Sequence, residues 1–221
     1  IFNLADNLGA IILAEYVFEK ITYVASNPNF SNTSTQAWLS PLSIFVYENI
    51  FFAPYVDNFS NSEFSFKSTD RFLIQYYNLK KKLKRIPNTK ELSSFDHMHY
   101  DGINSVNVAI KKIKIEKSSI VLDIGSGIGG PARYINQITN AKVYAIELQK
   151  NLNDIAVTIT KDLGLQENII HVNDDILNLN NFNIKFDSII SWLALYHIPN
   201  RKKLLKIIYD LLNRNGFFFT E

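Results

Sequence analysis

From residue 103 onward the chain alternates two hydrophobic rhythms. Short apolar runs bounded by glycine, asparagine or aspartate, as buried strands are, take turns with stretches whose apolar residues recur every three or four positions, as in amphipathic helices. The pattern predicts a helix over 103–113, a strand over 119–124, and a helix opening near Pro131, a residue that a helix's first turn tolerates. A strand over 141–147 follows, then a helix marked by Leu152, Ile155, Ala156, Ile159 and Leu163 and ended by Gly164. Strands over 167–173 and 186–194 come next. Asn200 is placed to cap a helix with the stripe Leu204, Leu205, Ile207, Ile208, Leu211 and Leu212, and GFFFTE from Gly216 begins a fifth strand. Alternation of this kind predicts an α/β fold: a Rossmann-like, doubly wound parallel sheet covered by helices on both faces. Ligands of such sheets bind at the carboxyl ends of the strands.

Residues 1–93 follow another rhythm and read as a helical N-terminal extension or cap, with the ligand-binding domain over 94–221. Leu8, Ile11, Ile12, Val17, Phe18, Ile21 and Val24 recur at helical spacing, NPNFSNTSTQ at 27–36 is a polar loop, and 71–85 reads as a second helix. That helix ends in LKKKLKR, a run without interleaved aromatic residues and therefore read as a solvated face. The chain starts at Ile1 and stops inside an apparent strand. It is expected to be a fragment, truncated after the fifth strand.

Composition narrows the partners. The 221 residues carry 23 basic and 21 acidic side chains, a balance that calls for no nucleic acid. The apolar stretches of the first half are interrupted by charges and prolines, so no membrane span is expected. There is no cysteine, which excludes disulfides and thiolate ligands and agrees with a reducing, cytoplasmic compartment. With four histidines at unsuitable spacings, no metal site is expected.

The chemistry gathers around SSIVLDIGSGIGGPARY, residues 118–134. Gly125, Gly127 and Gly130 spell the dinucleotide pattern G-x-G-x-x-G, whereas Gly125, Gly127 and Gly129 spell G-x-G-x-G. Asp123 separates the two: a carboxylate just before the loop repels a pyrophosphate and suits the positive methionine moiety of S-adenosylmethionine. Glu147 closes the second strand, where a carboxylate accepts hydrogen bonds from both ribose hydroxyls. The third strand runs into Asp174, Asp175 and Ile176, where a carboxylate can take an adenine amino group and the next amide can meet the ring. Singly, each acid has an ordinary alternative as a loop cap, helix cap or turn residue. Together, at successive strand ends, they outline a nucleoside pocket.

VLDIGSGIGGPARY, AIELQ, HVNDDIL and FDSIISWLALYHIP resemble, in order and spacing, the class I S-adenosylmethionine-dependent methyltransferases, closest to the sarcosine/dimethylglycine and phosphoethanolamine type. FDHMHYDG at 95–102 is similar to the D-Q-x-H-Y-x-G segment of that group, with His97 at the glutamine position. The resemblance covers about 94–221 and implies a seven-stranded fold, of which this chain reaches the fifth strand. It implies cofactor contacts at Tyr100, Asp123, Gly125, Ser126, Gly127, Gly129, Glu147, Leu148, Asp175, Ile176, Ser191 and Trp192. Asp174 stands where many relatives have glycine, and the spacing favours Asp175 for adenine.

The same resemblance implies methyl transfer to a small-molecule acceptor, an amine of the sarcosine/dimethylglycine or phosphoethanolamine kind. His197 matches the histidine of the tyrosine–histidine pair in the phosphoethanolamine enzymes, and Tyr100 is the available tyrosine partner; both also read as plain structural residues. His99 is an alternative proton relay, and Trp192 a pocket wall or core. Arg133 reads as a surface ion pair before it reads as a carboxylate binder, and His171 as structural. Two rival readings stay open: an NAD(P)-dependent oxidoreductase, and a non-catalytic methyltransferase-like scaffold.

Overall fold

The computed structural model describes residues 2–3, 69–179 and 182–221, and the expected helix through Leu8–Val24 and the loop at 27–36 lie outside them. Its strands are β1 (Phe2–Asn3), β2 (Ile120–Ile124), β3 (Lys142–Glu147), β4 (Ile169–Asn173), β5 (Phe186–Ser191) and β6 (Leu212–Thr220). Its helices are α1 (Asp70–Leu83), α2 (Thr89–Asp96), α3 (Ile103–Lys112), α4 (Gly130–Thr139), α5 (Lys150–Asp162) and α6 (Arg201–Leu211). The strands lie in the order β1-β6-β5-β2-β3-β4. β2 to β6 are mutually parallel, as the alternation predicts.

Two details depart from expectation. Phe2 and Asn3 pair antiparallel with Phe218 and Phe217, so the outer edge of β6 is partly covered by the start of the chain. In addition, β6 begins at Leu212 opposite Phe186 and shifts register before resuming at Phe217 opposite Ser188. The extra residues are accommodated as a bulge. The regular ladder therefore starts just after Gly216.

Successive strand residues face opposite sides of the sheet. Val121, Val143 and Ile190 pack with Val106, Ala109 and Ile135 of α3 and α4. Leu122, Ile146 and Ile189 pack on the other face with Leu204 and Ile208 of α6. Each such fully buried side chain contributes about 1.5–3 kcal/mol. A third cluster ties the N-terminal helices to the sheet domain: Phe72, Tyr76 and Leu92 pack on Ile128, Leu152, Ile155 and Ile159. Tyr76 also donates to Asp162 Oδ2 at 2.7 Å, where Lys80 adds an ion pair at 2.8 Å. Lys81, Lys82 and Lys84 are exposed, as expected of a solvated face.

The start of α2 is fixed by reciprocal capping: Asn88 Oδ1 accepts from Glu91 N–H, and Glu91 Oε2 accepts from Asn88 N–H, both at 2.9 Å. Its last residue, Asp96, then sits beside the loop that follows β2.

Candidate cofactor and methyl-transfer site

The loop leaves β2 at Asp123 and enters α4 at Gly130. Gly125 and Gly127 have φ of 71° and 54°, conformations that side chains disfavour. Close packing adds a second reason for glycine: a Cβ at Gly125 would collide with the Ala194 methyl, and one at Gly127 with the Met98 methyl. The amides of Gly125 and Ser126 donate to Ile146 O of β3 at 2.9 and 3.0 Å, which ties the loop to the neighbouring strand. Gly129 opens α4, with Pro131 in its first turn.

Asp123 is fully buried, and neither carboxylate oxygen has a hydrogen-bond partner. Burial, with the nearby Glu147 adding to it, pushes its carboxyl up to about 8. A buried acid without a partner is costly. A cationic or donor-bearing group beside it would relieve that cost. Ser126 Oγ and Trp192 Nε1 are likewise buried and unpartnered. All three lie at the carboxyl ends of β2 and β5, neighbouring strands in which Ile124 stands opposite Ser191.

Glu147 is buried at the end of β3 and already holds two amides: Oε2 accepts from Gly127 N–H at 2.9 Å and Oε1 from Gln149 N–H at 2.8 Å. Burial raises its carboxyl, and these backbone donors oppose the rise. It thus joins the glycine loop to the start of α5. Each oxygen keeps a lone pair for a further donor. The helix-entry and ligand-facing readings of Glu147 are compatible. Next to it, Leu148 is 53% exposed, an apolar side chain standing open at the strand ends.

Asp174 and Asp175 separate. Asp174 is exposed and caps the Asp175 amide at 2.7 Å. Asp175 is half-buried, and its Oδ1 accepts from Leu177 N–H at 2.9 Å at the head of a short helical turn containing Ile176. Of the two, Asp175 is the one turned into the fold.

On the opposite side, Ser191 is committed to the backbone, donating to Ile124 O at 2.8 Å. Trp192 is buried, with His99 stacked on it at a centroid distance of 4.7 Å and Phe219 at 5.4 Å. His99 Nδ1 lies 3.1 Å from Glu221 Oε2, and its Nε2 lies 3.1 Å from His97 Nδ1. Burial, followed by the charges of His99 and Arg133, lowers His97 to about 3. His99 is therefore tied into the wall of the site rather than presented to its mouth.

Tyr100 is 60% exposed, and His197 is half-buried in the turn after β5, with the Tyr196 ring at 3.8 Å. Burial, with Tyr100 adding to it, raises the Tyr196 hydroxyl. Tyr196 thus packs its ring on His197. Burial holds His197 below the ordinary histidine range, so it is neutral at pH 7.

Arg133 departs most from expectation. It is fully buried and pairs with Asp96 at 2.9 Å, not with a surface acid. His171 is structural as expected, with Nε2 at 2.8 Å from Thr160 Oγ1. Burial, with Arg133 adding to it, lowers His171 to about 3. Among the described residues, no group of His, Asp and Glu is placed to hold a metal ion.

Residues 121–216, from β2 to the bulge of β6, match the family model described as a methyltransferase domain. Over that stretch the chain is similar to methyltransferase domains. Over 108 residues it is 31% identical to a sterol 24-C-methyltransferase of Eremothecium gossypii, covering 47% of this chain and 28% of that protein. Over 117 residues it is 31% identical to a phosphoethanolamine N-methyltransferase of Plasmodium falciparum, covering 52% and 43%. The chain thus spans less than half the length of these curated relatives. The solved structure of an MccD protein shares the fold, with TM-score 0.53 and 20% identity over 56% of this chain and 54% of its own.

The candidate site also brings in residues that no motif singles out. Met98 and Ala194 lie against the loop glycines, Tyr196 packs its ring on His197, and Asp96 is the partner of Arg133. Asp96, Met98, Ala194 and Tyr196 all sit inside the two quoted segments 95–102 and 186–199. Their contacts come from chain folding, which local spacing does not encode.

Proposed function

We propose that this chain binds S-adenosylmethionine and transfers its methyl group to a small-molecule amine. The buried, unpartnered Asp123 carboxylate carries this reading. It complements a cationic methionine moiety and opposes the pyrophosphate that a dinucleotide would bring to the same loop. The residues fit the group. Asp123 would hold the positive end, Glu147 the ribose hydroxyls, Asp175 and the Ile176 amide the adenine, and Leu148 its face. The backbone of Gly125–Gly129, the Ser126 hydroxyl and Trp192 would line the rest.

When bound, the cofactor supplies an electrophilic methyl group on a sulfonium sulfur. The protein's part is to orient the acceptor toward it and exclude water, which accounts for much of the acceleration in a displacement of this kind. An amine acceptor loses one proton. In this reading His197, neutral at pH 7, accepts it, and Tyr100 and Tyr196, both exposed, hold the acceptor. His197→Ala is expected to leave cofactor affinity within twofold and to lower kcat by about 100-fold, in line with general-base contributions. Equal losses in affinity and kcat would make His197 structural.

An amine acceptor follows from the resemblance of HMHY and SWLALYHIP to the amine-methylating group, and it agrees with the phosphoethanolamine relative. The sterol relative names the competing class. Methyl-labelled S-adenosylmethionine offered with phosphoethanolamine, sarcosine, dimethylglycine and a sterol tests the choice. Label is expected in an amine. Label in the sterol alone would overturn the acceptor class.

A further inference from the structure

Asp96 and Arg133 pair beside the glycine loop of the proposed cofactor site, and both are almost completely shielded from solvent. We propose that they are its positioning pair, holding the segment 97–100 and the glycine loop in one geometry. This rests on the cofactor reading above and extends it to residues outside the expected contacts.

Arg133 reaches in two directions. Its Nη2 donates to Asp96 Oδ2 at 2.9 Å, and its Nη1 donates to Ile128 O, inside the glycine loop, at 2.7 Å. A further Nη1 contact, 3.3 Å to Thr160 Oγ1, continues to His171. Asp96 ends α2, and its backbone carbonyl lies so close to Gly130 that a side chain there would collide with it. The end of α2 is thus pressed onto the first turn of α4, and the guanidinium fixes how the two meet.

The residues that follow Asp96 form a wall of the site. Met98 lies on Gly127, and His99 stacks on Trp192 while meeting Glu221. A shift at Asp96 carries through the next three residues to both contacts. An apolar pair of similar volume would fill this space at no loss of stability, because buried charges are expensive to desolvate. A planar guanidinium contributes fixed directions that an apolar side chain lacks. Here those directions point to the wall and to the loop.

The test uses the full chain with Trp38→Phe, so that Trp192 is the only tryptophan. S-adenosylhomocysteine binding is measured by calorimetry and by Trp192 emission at a temperature where all variants are folded. Asp96→Asn and Arg133→Lys are each expected to weaken binding at least tenfold and to shift Trp192 emission before ligand is added. The double variant is expected to bind no more weakly than the worse single one, because the pair acts as a unit. Tyr76→Phe, which removes a hydrogen bond on the Asp162 side of the same helices, is expected to lower the melting temperature but leave Kd within twofold.

Folded pair variants that bind within twofold of the parent would overturn the proposal. So would loss of folding in both pair variants while Tyr76→Phe folds, since that would assign the pair to stability. A parent chain that fails to bind S-adenosylhomocysteine would overturn the cofactor reading itself, and the pair's role with it.

Discussion

Asp123→Asn is expected to produce a protein that is more stable at neutral pH and nearly unable to hold its cofactor. The carboxyl titrates near its ordinary value of 3.8 in the unfolded chain but at about 8 in the fold. The folded chain therefore binds the proton more tightly. The stability this contributes is fully present below pH 3.8 and is lost as pH rises toward 8 and through it. Asparagine has the same shape without the titration. After the cost of burying an unpartnered amide, the net gain at pH 8 is on the order of 2 kcal/mol. Denaturation curves from pH 4 to 9 check this: the parent loses stability across the range relative to the variant, and parallel curves would contradict the account. Binding moves the other way, weakening by roughly 100-fold, because an amide cannot ionise against a cationic ligand as the acid can.

Glu147→Ala is expected to damage the site from two directions. Its carboxylate holds the Gly127 and Gln149 amides, so its removal orphans a loop donor and a helix-entry donor as well as the ribose acceptors. Affinity for S-adenosylhomocysteine should fall by about 2–4 kcal/mol and the melting temperature should also drop. Glu147→Gln separates the effects. It retains one acceptor oxygen, restores part of the stability, and leaves binding weak. A Glu147→Ala variant that binds within calorimetric error of the parent would remove Glu147 from the site.

The contrast between these two acids shows what the sequence could reveal. Strand ends alone place Asp123, Glu147 and the Asp174–Asp175 pair together, since an α/β sheet brings successive carboxyl ends to one edge, and only the spacing of the resemblance favours Asp175. What each acid does there depends on neighbours far along the chain. Nothing in the local pattern distinguishes the unpartnered Asp123 from the doubly engaged Glu147. Arg133 is the clearest case: in sequence it is a charged residue in a helix's first turn, and its burial depends on Asp96, 37 positions earlier. The His99–Glu221 contact spans 122 positions. The pairing of Phe2 and Asn3 with β6 was equally hidden, because two residues carry no periodicity.

The opening glycine pattern allowed two cofactors, and that choice remains the centre of the account. Calorimetric titration of the purified chain with S-adenosylhomocysteine, with NADH as the control ligand, tests it most directly. The account predicts one-to-one binding of S-adenosylhomocysteine with micromolar affinity and no heat from NADH. Binding of NADH, or of neither ligand, would contradict it.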